Sequence, residues 1–243
     1  MPLREHVREL RRRLFLAALG VLVGSIGAWF AYPWLFRVLS EPLVDLAERQ
    51  GAAVALNFSG VAAPLDLQIM LAVFGGAVVS SPWWIHQLWA FVTPGLTTRE
   101  RRITTAFVAA SVPLFLAGVA LAWWVLPKAV ELLVGFTPDD AVNIIDAQTY
   151  LGFVMRVVLA FGVAFLVPVL MVGLDAVGIA SARGMLAGWR WAVLLAFVFA
   201  AVATPTSDVV SMIALALPIC WLYFGAIGVC AVVDRRRGRT AGA

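Results

Sequence analysis

Six long stretches of this chain are almost free of charge, and short polar segments separate them. They lie at about residues 14–36, 67–89, 103–126, 150–177, 189–203 and 209–233. A bilayer core of roughly 30 Å needs about 20 apolar residues at about 1.5 Å each, so these runs predict membrane-crossing helices. Strands are set aside: an isolated run in lipid must satisfy its own backbone hydrogen bonds, and only a helix does that. The fifth run is short. From Trp191 to Ala203 it gives roughly 20 Å of helix, so it thins the bilayer, sits shielded by neighbours, or fails to cross. The pattern predicts an all-α membrane protein of six transmembrane helices in one polytopic domain, 1–243.

Composition agrees. The chain is 63% hydrophobic and 13% charged, with a mean hydropathy of +0.95. A soluble domain is nearer half apolar and a quarter charged. The net charge of +4 does not indicate nucleic acid, because the arginines punctuate the apolar runs instead of lining one face. They follow the positive-inside bias. The N-terminal segment, the second and fourth loops and the C-terminal segment hold 14 Lys and Arg when Arg190 at the edge of the fifth run is counted, whereas the first and third loops hold three, Arg37, Arg49 and Lys128. Both termini are therefore expected in the cytoplasm, as an even number of spans requires. The two cysteines, Cys220 and Cys230, share no metal or redox spacing and read as packing residues.

Arg12-Arg13-Leu14-Phe15-Leu16 has the look of an export signal, but its apolar stretch is about 20 residues, longer than the usual 7–15. A positive-inside anchor fits better. If the preceding stretch is helical, Glu5 and Glu9 lie one turn apart, as do Glu9 and Arg13. Such pairs suit a charged helix flanking the membrane. Further along, Pro94-Gly95 breaks the chain where the second span should leave the bilayer, and Glu100 stands among Arg99, Arg101 and Arg102. By spacing alone that is a solvated charge cluster.

Together these segments carry a resemblance. His6-Val-Arg-Glu-Leu-Arg-Arg-Arg-Leu14 resembles the H-L-x-E-L-R-x-R-L opening of the TatC family, the polytopic subunit of the twin-arginine translocase. Gln87-Leu-Trp-Ala-Phe-Val-Thr-Pro-Gly-Leu96 with Glu100-Arg-Arg102 is similar to its Q-x-W-x-F-x-x-P-G-L-x-x-x-E-R-R segment. Phe161-Gly-Val-Ala-Phe165 before Val167-Pro168, the turn Thr204-Pro205 with Asp208 and Ser211-Met212, and Ser40-Glu-Pro-Leu43 extend the likeness over most of the chain, in order.

The resemblance implies a glove-shaped six-helix receptor of the cytoplasmic membrane. It would bind twin-arginine signal peptides and work with single-span TatA/TatB-type subunits, other copies of itself and lipid, with no cofactor, metal or enzymatic step. Glu9 and Glu100 match the positions that take the signal's guanidinium groups. Phe91 and Pro94 shape that surface, and His6 and Arg11 belong to it. A carboxylate can hold a guanidinium bidentately, which lysine cannot reproduce.

The chain also departs from the family. The fourth-span glutamate falls on Leu166, and an acid after the sixth span's Leu-Tyr pair is missing at Phe224. Buried carboxylates there act as polar glue or partner contacts, so their loss suits a divergent paralogue. Arg156 is a new charge about two turns into the fourth span; it either snorkels outward or pairs with Asp208. The alternative reading is a small secondary transporter or channel subunit with those two charges along its pathway. Paired repeats would mark one, and none is visible. No Walker, H-E-x-x-H or G-x-S-x-G motif points to an enzyme.

Overall fold

In lipid the backbone has only its own polar groups to bond, so apolar runs wind up as helices until something removes a donor. In the computed structural model, which describes residues 3–50, 55–92, 98–135, 144–177, 180–203 and 209–236, prolines do this three times. Helix α1 (Leu3–Phe30) stops before Pro33, and α2 (Tyr32–Gln50) begins after a turn at Ala31. Helices α3 (Ala63–Val79) and α4 (Ser81–Val92) meet at Ser80, next to Pro82, with a 62° bend. Helices α6 (Ala147–Ala164) and α7 (Val167–Val177) part at Phe165 and Leu166, just before Pro168. Each proline lacks the N–H for the carbonyl four residues back and crowds it. Pro42 and Pro218 lie inside helices without ending them.

Helix α5 (Thr98–Val134) is the longest, at 37 residues. The C-terminal part holds α8 (Ala182–Ala187), α9 (Trp189–Ala203) and α10 (Val209–Arg236). Several expectations need correction. The first run is interrupted at Ala31, where α1 gives way to α2 ahead of Pro33. The charged stretch is helical as expected, and α1 runs unbroken from Leu3. The second run is bent and the fourth is broken. The first part of the polar segment after the first run, to Gln50, is helical, in α2.

Among the described residues three helical stretches, Arg4–Phe30, Phe107–Glu131 and Ala147–Asp175, are long and apolar enough to cross a membrane, and the bent pair α3–α4 adds a fourth when taken as one span. Two shorter apolar stretches, Trp189–Ala201 and Ala216–Val232, accompany them. The shortness of α9, seen in the sequence, is thus retained. Many large apolar side chains point outward: Phe15 is 68% exposed, Phe30 80% and Trp221 84%. So much apolar surface suits lipid and not water.

The helices group in two compact units. One contains residues 1–112 and 123–155, the other residues 113–122 and 156–243. In the first, α1 packs along α3 and α4. Its polar connections are joined by two three-residue strands, β1 (Ala55–Asn57) and β2 (Ile144–Asp146), which pair in parallel with Leu56 opposite Ile145. Asp146 then caps α6, accepting from the backbone N–H and the hydroxyl of Thr149, both at 2.8 Å. In the second unit, Gly118 of α5 lies so near α6 that a Cβ would stand 2.6 Å from the carbonyl oxygen of Phe161. There α10 packs on α7, α8 and α9. Met171, Ala226 and Ile227 are buried against Val167, Met185 and Tyr223. The hydroxyl of Tyr223 donates to the Met185 carbonyl at 2.6 Å.

Candidate functional site

The charged first turns of α1 and the aromatic end of α4 form one surface, joined rung by rung. Residues spaced three or four apart share a helix face. His6, Glu9, Arg13 and Leu16 therefore lie along one side of α1, and Trp83, Gln87 and Phe91 along one side of α4. The indole N–H of Trp83 donates to the carbonyl of Leu16 at 2.8 Å. Nearer the start of α1, Arg13 Nη1 donates to Gln87 Oε1 at 2.9 Å. At the end, the rings of His6 and Phe91 lie with centroids 4.7 Å apart and tilted by 30°. Position rises along α4 as it falls along α1, so the two strips run antiparallel.

Within this ladder Glu9 is held from its own helix. Arg13 Nε donates to Glu9 Oε1 at 2.7 Å, the one-turn pair that the sequence spacing predicts. The two side chains are partly open, 31% exposed for Glu9 and 27% for Arg13, whereas Gln87 is buried. The result is a carboxylate at the edge of the protein, oriented by a guanidinium that is itself anchored to a second helix.

Behind it, Trp89 donates from its indole N–H to Ser111 Oγ at 2.7 Å, and Ser111 donates to the Phe107 carbonyl. The rings of Trp89 and Phe107 stack with centroids 5.0 Å apart. Helix α4 is thereby fastened to α5, whose first turn carries Glu100 in sequence.

The structure places the sequence-derived residues unevenly. His6 and Phe91 come together with Glu9 one turn further along the same face, whereas Arg11 is exposed on the opposite face of α1. Pro94 and Asp208 lie outside the described residues, as does the side chain of Glu100, although its backbone is helical. Leu166 is buried in the break between α6 and α7, and Arg156 is exposed on α6. Sequence reasoning missed Gln87, Trp83 and Ser111 as members of the network. Gln87 carried a clue as an amide beside His86 near the end of an apolar run.

Among the described residues no group of His, Cys, Asp or Glu could hold a metal ion. Lipid-suited helices beside an oriented, partly open carboxylate define a polytopic membrane protein with a polar, charged surface where α1 begins and α4 ends. The family model described as Sec-independent protein translocase protein (TatC) matches residues 5–218. This chain belongs to the TatC family, a component of the twin-arginine translocation system and of a transport family that is not enzymatic.

The TatC protein of Xylanimonas cellulosilytica is 53% identical over 239 residues, covering 98% of this chain and 87% of that protein. The one from Rothia mucilaginosa is 37% identical over 240 residues, with 98% and 82% covered. Two crystal structures of the twin-arginine translocase receptor TatC superpose with TM-scores of 0.81 and 0.83 at 28% and 29% identity. They cover 93% of this chain, and 99% and 98% of theirs. Family membership replaces the transporter or channel alternative.

Proposed function

We propose that this chain is the receptor for twin-arginine export signals, and that Glu9 and Glu100 each take one of the signal's guanidinium groups. The observation that carries the reading is the state of Glu9. Its carboxylate already accepts from one guanidinium, that of Arg13, yet remains partly open at the protein's edge. A site that suits one guanidinium suits a second, because an ionised carboxylate can accept about four hydrogen bonds. The crystal structures it resembles are of a twin-arginine translocase receptor, which supports the same role.

Charge-assisted hydrogen bonds contribute about 1.5–3 kcal/mol each, and exposed pairs far less. Two carboxylates must therefore act together with docking of the signal's apolar segment. Phe91, Pro94 and His6 border Glu9 in this reading, and Arg11 adds its charge from the opposite face of α1. The distribution of Lys and Arg supports six spans with both termini cytoplasmic, in one membrane domain of the cytoplasmic membrane. Single-span TatA/TatB-type subunits and further copies of the chain would complete the assembly, with Arg156 and Asp208 as the polar groups offered to them and Leu166 at the position of the family's fourth-span carboxylate.

Crosslinking tests the receptor role. A twin-arginine signal peptide carrying a photoreactive group should label the chain near Glu9 and Glu100, and its twin-lysine variant should not. Equal labelling by both peptides would overturn the reading.

A further inference from the structure

Arg13 touches Glu9 in an unusual way for a residue beside a guanidinium site. It could block the carboxylate, filling the place that a signal arginine needs, or it could hold that carboxylate in position. The geometry separates these two roles. Arg13 uses only Nε on Glu9, at one oxygen, Oε1, and spends Nη1 on Gln87 of α4. With Nη1 held by Gln87, only Nε bonds the carboxylate, so the bidentate grip by which arginine covers both oxygens is not the arrangement found here. Among the described residues, Glu9 Oε2 receives no hydrogen bond from the protein.

The anchor itself is firm. Gln87 is buried, at 4% exposure, on a helix held to α1 by Trp83–Leu16 on one side and His6–Phe91 on the other. An exposed glutamate near the start of a helix ordinarily samples several rotamers and loses that freedom on binding, at a cost in affinity. Here the cost is met during folding.

We propose that Arg13, tied to Gln87, is a positioning residue that presents Glu9 Oε2 to one arginine of the signal, with Gln87 setting the direction. This rests on the receptor reading and adds a residue pair that discriminates how well Glu9 binds. Arg13 makes no contact with the signal in this scheme; it acts through Glu9.

The test uses the full chain in nanodiscs, a fluorescent twin-arginine signal peptide, and the affinity of four variants: Glu9→Gln, Gln87→Leu, Arg13→Lys, and Gln87→Leu combined with Glu9→Gln. Leucine keeps the volume of Gln87 but accepts nothing, and lysine cannot bridge two acceptors as a planar fork does. Each single change at Gln87 or Arg13 should weaken binding about five- to tenfold, the size of one hydrogen bond of moderate strength. In the Glu9→Gln background, Gln87→Leu should add less than about twofold, since the group it orients is gone. A general packing defect would weaken both backgrounds equally. Arg13 is partly exposed, so Arg13→Lys provides a folded variant should Gln87→Leu lower stability.

Unchanged affinity in Gln87→Leu and Arg13→Lys beside a clear Glu9→Gln defect overturns this proposal alone. Equal losses in the two backgrounds overturn it as well, and tighter binding would make Arg13 a block. If Glu9→Gln itself binds normally, the receptor role of Glu9 falls and the positioning role falls with it.

Discussion

Gly24 of α1 and Gly76 of α3 meet backbone to backbone, and a Cβ placed on Gly24 would stand 2.8 Å from the carbonyl oxygen of Gly76. In lipid, helices associate through close van der Waals packing of small residues and not through hydrophobic exclusion. The crossing is extended by Gly75 against Ala28 and by Gly20 beneath Trp83. It fixes the rotation of α1, and so decides which side of its charged end faces α4.

Filling that crossing should disturb the site from a distance. Gly24→Val or Gly76→Val is expected to cost about 1–3 kcal/mol by overpacking and to weaken signal-peptide binding at the same time. Gly27→Ala is the matched control, because nothing stands within 4 Å of a Cβ there. Melting curves in detergent, read beside peptide affinity, check both.

The cap on α6 predicts a pH dependence. Hydrogen bonds from the backbone N–H and hydroxyl of Thr149, and then from Ser59, hold the Asp146 carboxyl below its ordinary value of 3.8. A carboxyl whose folded-state value is depressed contributes stability above its unfolded value, and loses it as pH falls through the folded one. Wild type should therefore be more stable than Asp146→Asn at neutral pH, and the gap should close as pH drops below about 4. A gap that persists in acid would show that the ionised carboxylate is not what stabilises the cap.

Arg156 is exposed on α6, and an arginine at membrane depth needs a partner or a route to the headgroups. We expect Arg156→Asp and Asp208→Arg each to lower export in a strain lacking its own receptor, and the double exchange to restore it. A double variant no better than either single one would exclude the pair.

Leu166 is buried where α6 gives way to α7, so an acid placed there would sit in low dielectric and stay protonated. Leu166→Glu should destabilise the chain by about 1–3 kcal/mol from the buried polar group, while increasing crosslinking of a single-span partner helix to α6. Destabilisation without added crosslinking would show that this position is not a partner contact here.

How much of this was legible beforehand depends on the range of each interaction. The apolar runs, their helical state, the shortness of α9 and the one-turn pairing of Glu9 with Arg13 are local, and spacing along one helix shows them. The proline-linked breaks at Ala31, Ser80 and Leu166 have a local cause too. They were not foreseen, because Pro42 and Pro218 sit within helices and leave them continuous. The strands β1 and β2 were invisible: three residues are too few to show a period of two, and each needs a partner far along the chain.

The sequence by itself determined that this is a helical membrane protein of the TatC family, because hydropathy is set by composition within about 20 residues and the family's motifs are contiguous. Only the tertiary structure decided that Arg13 reaches Gln87, 74 residues away, and that Trp83 reaches Leu16. Those contacts depend on how α1 is rotated against α3 and α4, and that rotation comes from the glycine crossing, where two helices must fit each other at once.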